Sequence, residues 1–290
     1  MKAVSDSHTT QSLAAPSAIA TASQQATQRQ RRYTLIVIAG RILFFVTLIL
    51  LWQFISGRIA NPMYVSSPQA VLLRMIEWMQ DGTLWSNTAT TLQETLLGLL
   101  YGVTFGILIG VLLGIMPLLA AIFDPFLMAV NSVPKAALAP FFILWFGIEL
   151  QMKVILGASI VFFLVFFNTL AGMRNVDQNL VNAVLLMGGK RKDIVLKVML
   201  PSATGYILTG LRIAIPYALI GAVIGELIST NSGLGYLIND STSRFDAAGA
   251  FVALIMLTIT TSLLNMLFNV IDRKTSRWKG GVTTFKGGGF

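Results

Sequence analysis

The chain has no cysteine and a single histidine, His8, which lies in a polar N-terminal stretch. The lack of cysteine excludes disulfides and thiolate metal sites. A serine–histidine–carboxylate catalytic site could use only His8, so no such site is expected. No residues show the spacing of a metal site. The sequence therefore predicts a protein that is not an enzyme and holds no cofactor of its own.

Charged residues are scarce as well. They make up 11% of the 290 residues, against about 25% in an ordinary soluble domain. Hydrophobic residues make up 55%, and the mean hydropathy is +0.74. Several apolar runs reach the roughly 20 residues that a helix needs to cross a bilayer. We therefore expect an all-α polytopic membrane protein with six transmembrane helices, at about 33–55, 95–118, 123–146, 153–170, 206–228 and 247–271.

The net charge of +9 does not indicate nucleic acid, because the basic residues cluster beside apolar runs. That placement is typical of the positive-inside bias and of contact with anionic membrane lipid. With six spans, one side of the membrane holds thirteen basic residues of the termini and of the loops after spans 2 and 4. The other side holds four: Arg58, Arg74, Lys153 and Arg244. Both termini are therefore expected in the cytoplasm.

The domain organisation follows from these runs. Residues 1–32 are expected to form a disordered cytoplasmic tail, and residues 33–56 the first transmembrane helix. Residues 57–93 form an extracytoplasmic segment with an amphipathic helix that Ser67 caps and Pro68 starts. Residues 94–272 form a core of five helices, and residues 273–290 a basic cytoplasmic tail.

Two of the spans carry features beyond hydrophobicity. In span 2, glycine recurs every four residues, which predicts a face that packs closely on another helix: Gly98, Gly102, Gly106, Gly110 and Gly114. Span 3 contains Pro134 and Pro140 and is expected to be broken. Its Asn131 and Lys135 are candidates for the lining of a translocation pathway, although Lys135 could instead pair with a carboxylate or with carbonyls. Arg212 in span 5 is a third candidate, although its place near the cytoplasmic end favours a structural role in which it pairs with carbonyls or with a loop carboxylate.

The most charged stretch between two apolar spans is residues 180–201, called here the 180–201 loop. Its pattern predicts two short helices around Gly188-Gly189, with Pro201 ending the second. Lys190, Asp193 and Lys197 share one stripe. The run Gly188-Gly189-Lys190 imitates the end of a phosphate-binding loop, but Arg191 stands where Ser or Thr is needed. The chain therefore does not bind ATP by that route.

The 180–201 loop resembles the EAA loop of permease subunits of ABC importers. That pattern is Glu-Ala-Ala, three residues, Gly, nine residues, an aliphatic residue, any residue, and Leu-Pro. The matching residues stand at the right spacing, with Asn182 in place of Glu and Val184 in place of the second Ala: Ala183, Gly188, Val198, Leu200 and Pro201. The blocks SSPQAV, NSVPKAALAPFFILWFGI, FFNTLAGMRNVD, TGLR and SGLGYLI are similar to nitrate/sulfonate/taurine-type permeases.

The resemblance implies a type I ABC importer permease of the inner membrane, which forms the pathway for a small, anionic solute. Its partners would be a cytoplasmic ATPase dimer that binds the ATP, a second permease copy, and an extracytoplasmic solute-binding protein. The ATPase contact would use Asn182, Ala183, Gly188, Lys190, Lys197, Val198, Leu200 and Pro201. Two alternatives stay open on the residues alone, an ion-coupled secondary transporter and an intramembrane enzyme.

Overall fold

The computed structural model describes residues 16–59, 61–228 and 231–275. The chain divides into two units between Ala60 and Asn61. The first contains helix α1, Pro16–Ile55, whose segment from Arg32 to Ile55 is long and apolar enough to cross a membrane. The expected disordered tail of residues 1–32 is thus wrong for residues 16–32, where alanine, glutamine and arginine favour helix. Residues 1–15 lie outside the described part.

In the second unit, the described residues form eleven further α-helices. They are α2 Pro62–Val65, α3 Pro68–Gln80, α4 Thr83–Ile115, α5 Pro117–Ser132, α6 Ala139–Phe146, α7 Leu150–Arg174, α8 Gln178–Leu186, α9 Arg191–Ile194, α10 Leu200–Ile228, α11 Leu234–Ser243 and α12 Ala247–Thr275. A 3₁₀ turn, Lys135–Leu138, precedes α6, and a π-helical turn, Val195–Met199, precedes α10. The all-α fold class is confirmed.

Helix α4 begins at Thr83, twelve residues before the expected start of span 2 at Thr95. Helix α4 therefore begins within the expected extracytoplasmic segment of residues 57–93, whose position relative to the membrane stays a prediction. Helix α3 lies within it as expected, with the Ser67 hydroxyl accepting from the Ala70 amide at 3.2 Å. In the early polar turns of α4 the threonine hydroxyls are satisfied within the helix, because they donate to carbonyls one turn back, as Thr88 does to Leu84 at 2.6 Å.

Helices α4 and α7 run parallel. The glycines of α4 meet α7 in ascending order: a Cβ on Gly98 would lie 3.4 Å from the Val154 carbonyl oxygen, and one on Gly114 would lie 2.5 Å from the Cβ of Met173. All five glycines of the four-residue repeat are buried against this neighbour. The missing side chains let the two backbones approach closely, as the spacing predicts.

This parallel arrangement settles the course of the broken span. Since α4 ends and α7 begins at opposite ends of the bundle, the chain between Ile115 and Leu150 has to travel back across it. It does so through α5, about 24 Å long at 1.5 Å per residue, and the Lys135–Phe146 segment, which bends from α5 by 82°. The bent pair is therefore a broken crossing, and with the five long apolar helices it makes six spans.

Helix α10 runs antiparallel to α7, since Gly210 meets Asn168 whereas Gly225 meets Lys153. The expectation that Pro201 ends the preceding helix is wrong. Residues 191–228 form one continuous helical path, because the π-helical turn at Val195–Met199 widens the helix directly before the proline. A wider turn relieves the clash between the proline ring and the carbonyl one turn back.

The bundle of the second unit therefore has two ends. The loop end carries Ile115, Arg174 and the 180–201 loop. The far end carries the start of α4, the start of α7, the end of α10 and helix α11.

Candidate functional site

The 180–201 loop consists of helix α8 and the start of the continuous helical path at Arg191, joined at Gly188. The predicted break between two helices at this glycine is present. Helix α8 is capped by the Asp177 side chain, which accepts from the Asn179 amide at 2.9 Å. Gly188 then has a φ of +78°, a left-handed conformation that glycine adopts without strain. The Lys190 amide donates to Asp193 Oδ2 at 2.9 Å, which starts α9.

The surface of this loop is apolar and basic at once. The side chains at the end of α8 project freely, with Leu186 90% and Met187 87% exposed. Lys190 is exposed beside them, and Lys197 is 70% exposed although it pairs with Asp193 at 2.8 Å. We call Leu185, Leu186, Met187, Lys190 and Lys197 the loop surface.

The residues that align with the EAA pattern divide into two groups by exposure. Asn182, Ala183 and Gly188 are exposed, whereas Val198 is buried and Leu200 is half-buried. Val198 and Leu200 therefore attach the loop to the bundle, and the exposed residues lie where a partner could reach them. The role of Asn182 stays a prediction.

Arg191 makes a contact that the sequence gave no reason to expect. Its guanidinium donates to the carbonyl oxygen of Ile115 at 2.7 Å. Ile115 is the last residue of α4, where helix carbonyls lack intrahelical donors. The loop is thus tied to the end of α4 by Arg191 and to α10 by the continuous helix.

Two of the three pathway candidates, Lys135 and Arg212, are engaged through their side chains, whereas Asn131 is exposed and contributes its backbone carbonyl. Lys135 Nζ donates to the carbonyls of Val130, Asn131 and Val133 at 2.9–3.0 Å and lies 4.7 Å from the centre of the Phe163 ring. It therefore caps the C-terminal end of α5. Of the roles considered for Lys135, the structure shows the one in which it pairs with carbonyls. Arg212 pairs with Asp272 of α12 at 2.6 Å.

A buried polar cluster at the far end was missed by the sequence reasoning. Lys153, counted as a surface charge, is only 4% exposed and pairs with Glu94, which is 1% exposed. Glu226, also 1% exposed, accepts from the Thr91 hydroxyl at 2.7 Å and from the Gly235 amide at 2.7 Å. We call Thr91, Glu94, Lys153 and Glu226 the far-end cluster. Its one sequence signal is that Glu94 is the only charged residue of α4.

Asn87 extends this cluster toward α11. Its side-chain oxygen accepts from the Gly233 amide at 2.7 Å, and the Thr91 hydroxyl accepts from the Leu234 amide at 2.8 Å. The first backbone donors of α11 are thus satisfied by side chains of α4 and α10. This arrangement holds α11 across the far end.

Comparison with known proteins decides the family. Residues 102–278 match the model of the binding-protein-dependent transport system inner membrane component. The chain belongs to this family. It is a permease subunit of an ABC importer, a multi-pass protein of the inner membrane, and the ATPase is a separate subunit.

Curated relatives cover most of the permease. It is 37% identical over 238 residues to the riboflavin transport system permease RibX of Chloroflexus aurantiacus, covering 81% of this chain and 89% of the relative. It is 31% identical to the formylaminopyrimidine permease ThiX of Halalkalibacterium halodurans, covering 75% and 86%, and to the taurine permease TauC of Escherichia coli, covering 82% and 88%.

A solved structure supports the fold. The MetNI methionine ABC transporter in an inward-facing conformation superposes with a TM-score of 0.58 at 21% identity, covering 68% of this chain and 96% of that one. The resemblance drawn from the loop motif is thereby confirmed at the level of family and fold. The relatives are named for taurine, riboflavin and formylaminopyrimidine, so the family alone does not identify the solute.

Proposed function

We propose that the loop surface is the docking site for the ATPase of this importer. The observation that carries this proposal is the exposure of Leu186 and Met187, at 90% and 87%. Two large apolar side chains at the tip of a charged loop would be costly in water, and such patches mark sites of protein contact. Lys190 and Lys197 add positive charge around the apolar centre, a polar rim of the kind that surrounds interface cores.

The attachments of the loop suggest how its movement reaches the membrane. Arg191 holds the carbonyl of Ile115 at the end of α4, and the helix from Arg191 continues into α10. A displacement of the docked loop would therefore pull on both spans. ATP binding would act by favouring one of two conformations of the permease through this contact.

The arrangement of the whole importer follows from the same geometry. The loop end would face the cytoplasm, because it carries Arg174 and the basic residues of the 180–201 loop. The far end would then face outward and receive the solute-binding protein. A second copy of the permease would complete the pathway.

For the solute, we propose a small organic sulfonate or a similar anion. Relatives named for taurine and for aliphatic sulfonates support this class. Lys135 lies at the bend of the broken span, where its Nζ donates to carbonyls at the end of α5. A basic side chain at this position would attract an anion that passes the bend.

A second solute class has its own observation. A cleft of about 520 Å³ lies between α4, α6 and α7 and contains no charged side chain. Four aromatic rings line it, with Gln151 and Ser159 as polar groups: Tyr101, Phe105, Phe146 and Phe162. Such a lining favours a planar, largely apolar ring. Relatives named for riboflavin and formylaminopyrimidine are consistent with this alternative.

Co-purification of the ATPase with the permease tests the docking proposal. Replacing Leu186 and Met187 together by Asp should abolish co-purification while membrane insertion is unchanged. The matched control is Leu72→Asp, since Leu72 is an apolar residue of α3, 58% exposed and outside the spans. The control should keep the ATPase, and an intact complex in the double variant would refute the proposal.

Uptake into vesicles that hold the whole importer separates the two solute classes. With the binding protein, labelled taurine should accumulate on ATP addition and riboflavin should not. Uptake of riboflavin alone would replace the anion proposal by the ring proposal.

A further inference from the structure

The far-end cluster places two acids and one base inside the membrane bundle. Glu94 and Glu226 are each 1% exposed, and Lys153 is 4% exposed. The spans packed around them bring few other charges. Helix α4 has only Glu94, α7 otherwise has only Arg174, and α10 otherwise has only Arg212; these two arginines belong to the loop half of the bundle. Helix α3, which packs on α4, brings Arg74, which pairs with Glu77 at 3.0 Å and with Asp246 at 3.2 Å. Helix α11 brings Asp240, which pairs with Arg244 at 2.9 Å.

The charges of this cluster do not balance if all three groups are ionised. Two carboxylates and one ammonium leave one negative charge among buried side chains, where an uncompensated charge is costly. Lys153 compensates Glu94 through their ion pair. Glu226 is stabilised by neutral donors, the Thr91 hydroxyl and the Gly235 amide near the N-terminus of α11.

One atom of the cluster also lacks a partner. Glu94 Oε2 is buried and accepts no hydrogen bond. The carboxyl groups of Glu94 and Glu226 are neighbours that interact electrostatically, and both are acceptors when ionised. A proton on one of them would remove the excess charge and turn an unsatisfied acceptor into a donor.

We propose that the far-end cluster is a binding site for one proton, shared by the carboxyl groups of Glu94 and Glu226. The site takes this proton from water as the bundle folds. The bound proton lets α4, α7, α10 and α11 meet without excess charge. It makes the packing of the far end depend on pH, independently of which solute the permease carries.

Infrared spectroscopy of the intact permease–ATPase complex in lipid nanodiscs tests this proposal at neutral pH. The wild type should show the carbonyl stretch of a buried, protonated carboxyl group. Labelling all glutamates with ¹³C should shift that band, which assigns it to glutamate without any substitution. Absence of a glutamate carboxyl band at neutral pH would overturn the proposal.

Variants locate the proton. Glu94→Gln removes one acid while keeping its shape, so the band should disappear and unfolding should become less dependent on pH. Asp272→Asn is the matched control, because Asp272 pairs with Arg212 outside the cluster; it should keep the band. If Glu94→Gln does not fold, Glu226→Gln and the labelled wild type carry the test. A bound sodium ion is the competing explanation. If sodium chloride but not choline chloride stabilises the wild type, and Glu94→Gln removes that stabilisation, the site binds sodium and the proton proposal is refuted.

Discussion

The contact between α4 and α7 allows a sharp test of close helix packing with two matched glycines. A Cβ added to Gly102 would lie 2.6 Å from the Cβ and Cγ1 of Val161 and 2.8 Å from the carbonyl oxygen of Ala158. A Cβ added to Gly98 would lie no closer than 3.4 Å to any neighbour. The first substitution forces the helices apart, and the second makes an ordinary contact.

The magnitude follows from these distances. Replacing glycine by alanine inside a helix stabilises it by about 0.5–1 kcal/mol, and this gain is the same at both positions. Overpacking a well-packed contact costs about 1–3 kcal/mol, and it applies to Gly102→Ala alone. We therefore expect Gly98→Ala to be neutral or slightly stabilising, and Gly102→Ala to be less stable than Gly98→Ala by about 1–3 kcal/mol.

Unfolding of the purified permease in a single detergent measures this difference. Both variants gain the same helix stability from alanine, so the difference in their free energies of unfolding reports the packing against α7 alone. Equal stability of Gly98→Ala and Gly102→Ala would show that α4 and α7 are not in the close contact described. Gly106→Leu extends the test, since it should prevent assembly of the bundle and lower the yield.

The remaining predictions concern the loop and the buried ion pair. Gly188→Val should cost the loop about 1–2 kcal/mol, because valine is strained at a positive φ, and ATPase co-purification should fall while insertion is normal; undiminished co-purification would contradict this. Charge reversal of Lys190 and Lys197 should lower ATPase activity stimulated by the binding protein, and unchanged stimulation would place these lysines outside the interface. Lys153→Met should cost about 3–5 kcal/mol by leaving a buried carboxylate without its cation, and Glu94→Gln in the same chain should recover part of that stability in an unfolding assay, since only Glu226 then remains. A double variant as unstable as Lys153→Met alone would argue against the pair.

Features that depend on neighbouring residues could be predicted from the sequence. The glycine repeat of α4, the break at Pro134 and the two helices around Gly188 all arise from local stereochemistry. Helix boundaries were harder to predict. Helix α4 begins before the expected start of span 2, in polar turns whose threonines donate to carbonyls of their own helix. Pro201 does not end a helix because a π-helical turn precedes it.

The far-end cluster could not be predicted in the same way. Lys153 and Glu94 are 59 residues apart in the chain, and Thr91 and Glu226 are 135 residues apart. In the sequence each looks like a charge or hydroxyl near the end of a span. Only the crossing of α4, α7 and α10 shows that they are one buried group. The same holds for Arg191, which finds Ile115 across 76 residues.

The sequence by itself determined the class of this protein. Its hydrophobicity requires a membrane, and its loop motif and blocks indicate an ABC importer permease, because composition and short spacings are local properties of a chain. The tertiary structure decided which charges are buried, which residues hold the loop to the bundle and how the broken span crosses it. These depend on which helices meet, and a helix can bury any of its faces until its neighbours are known.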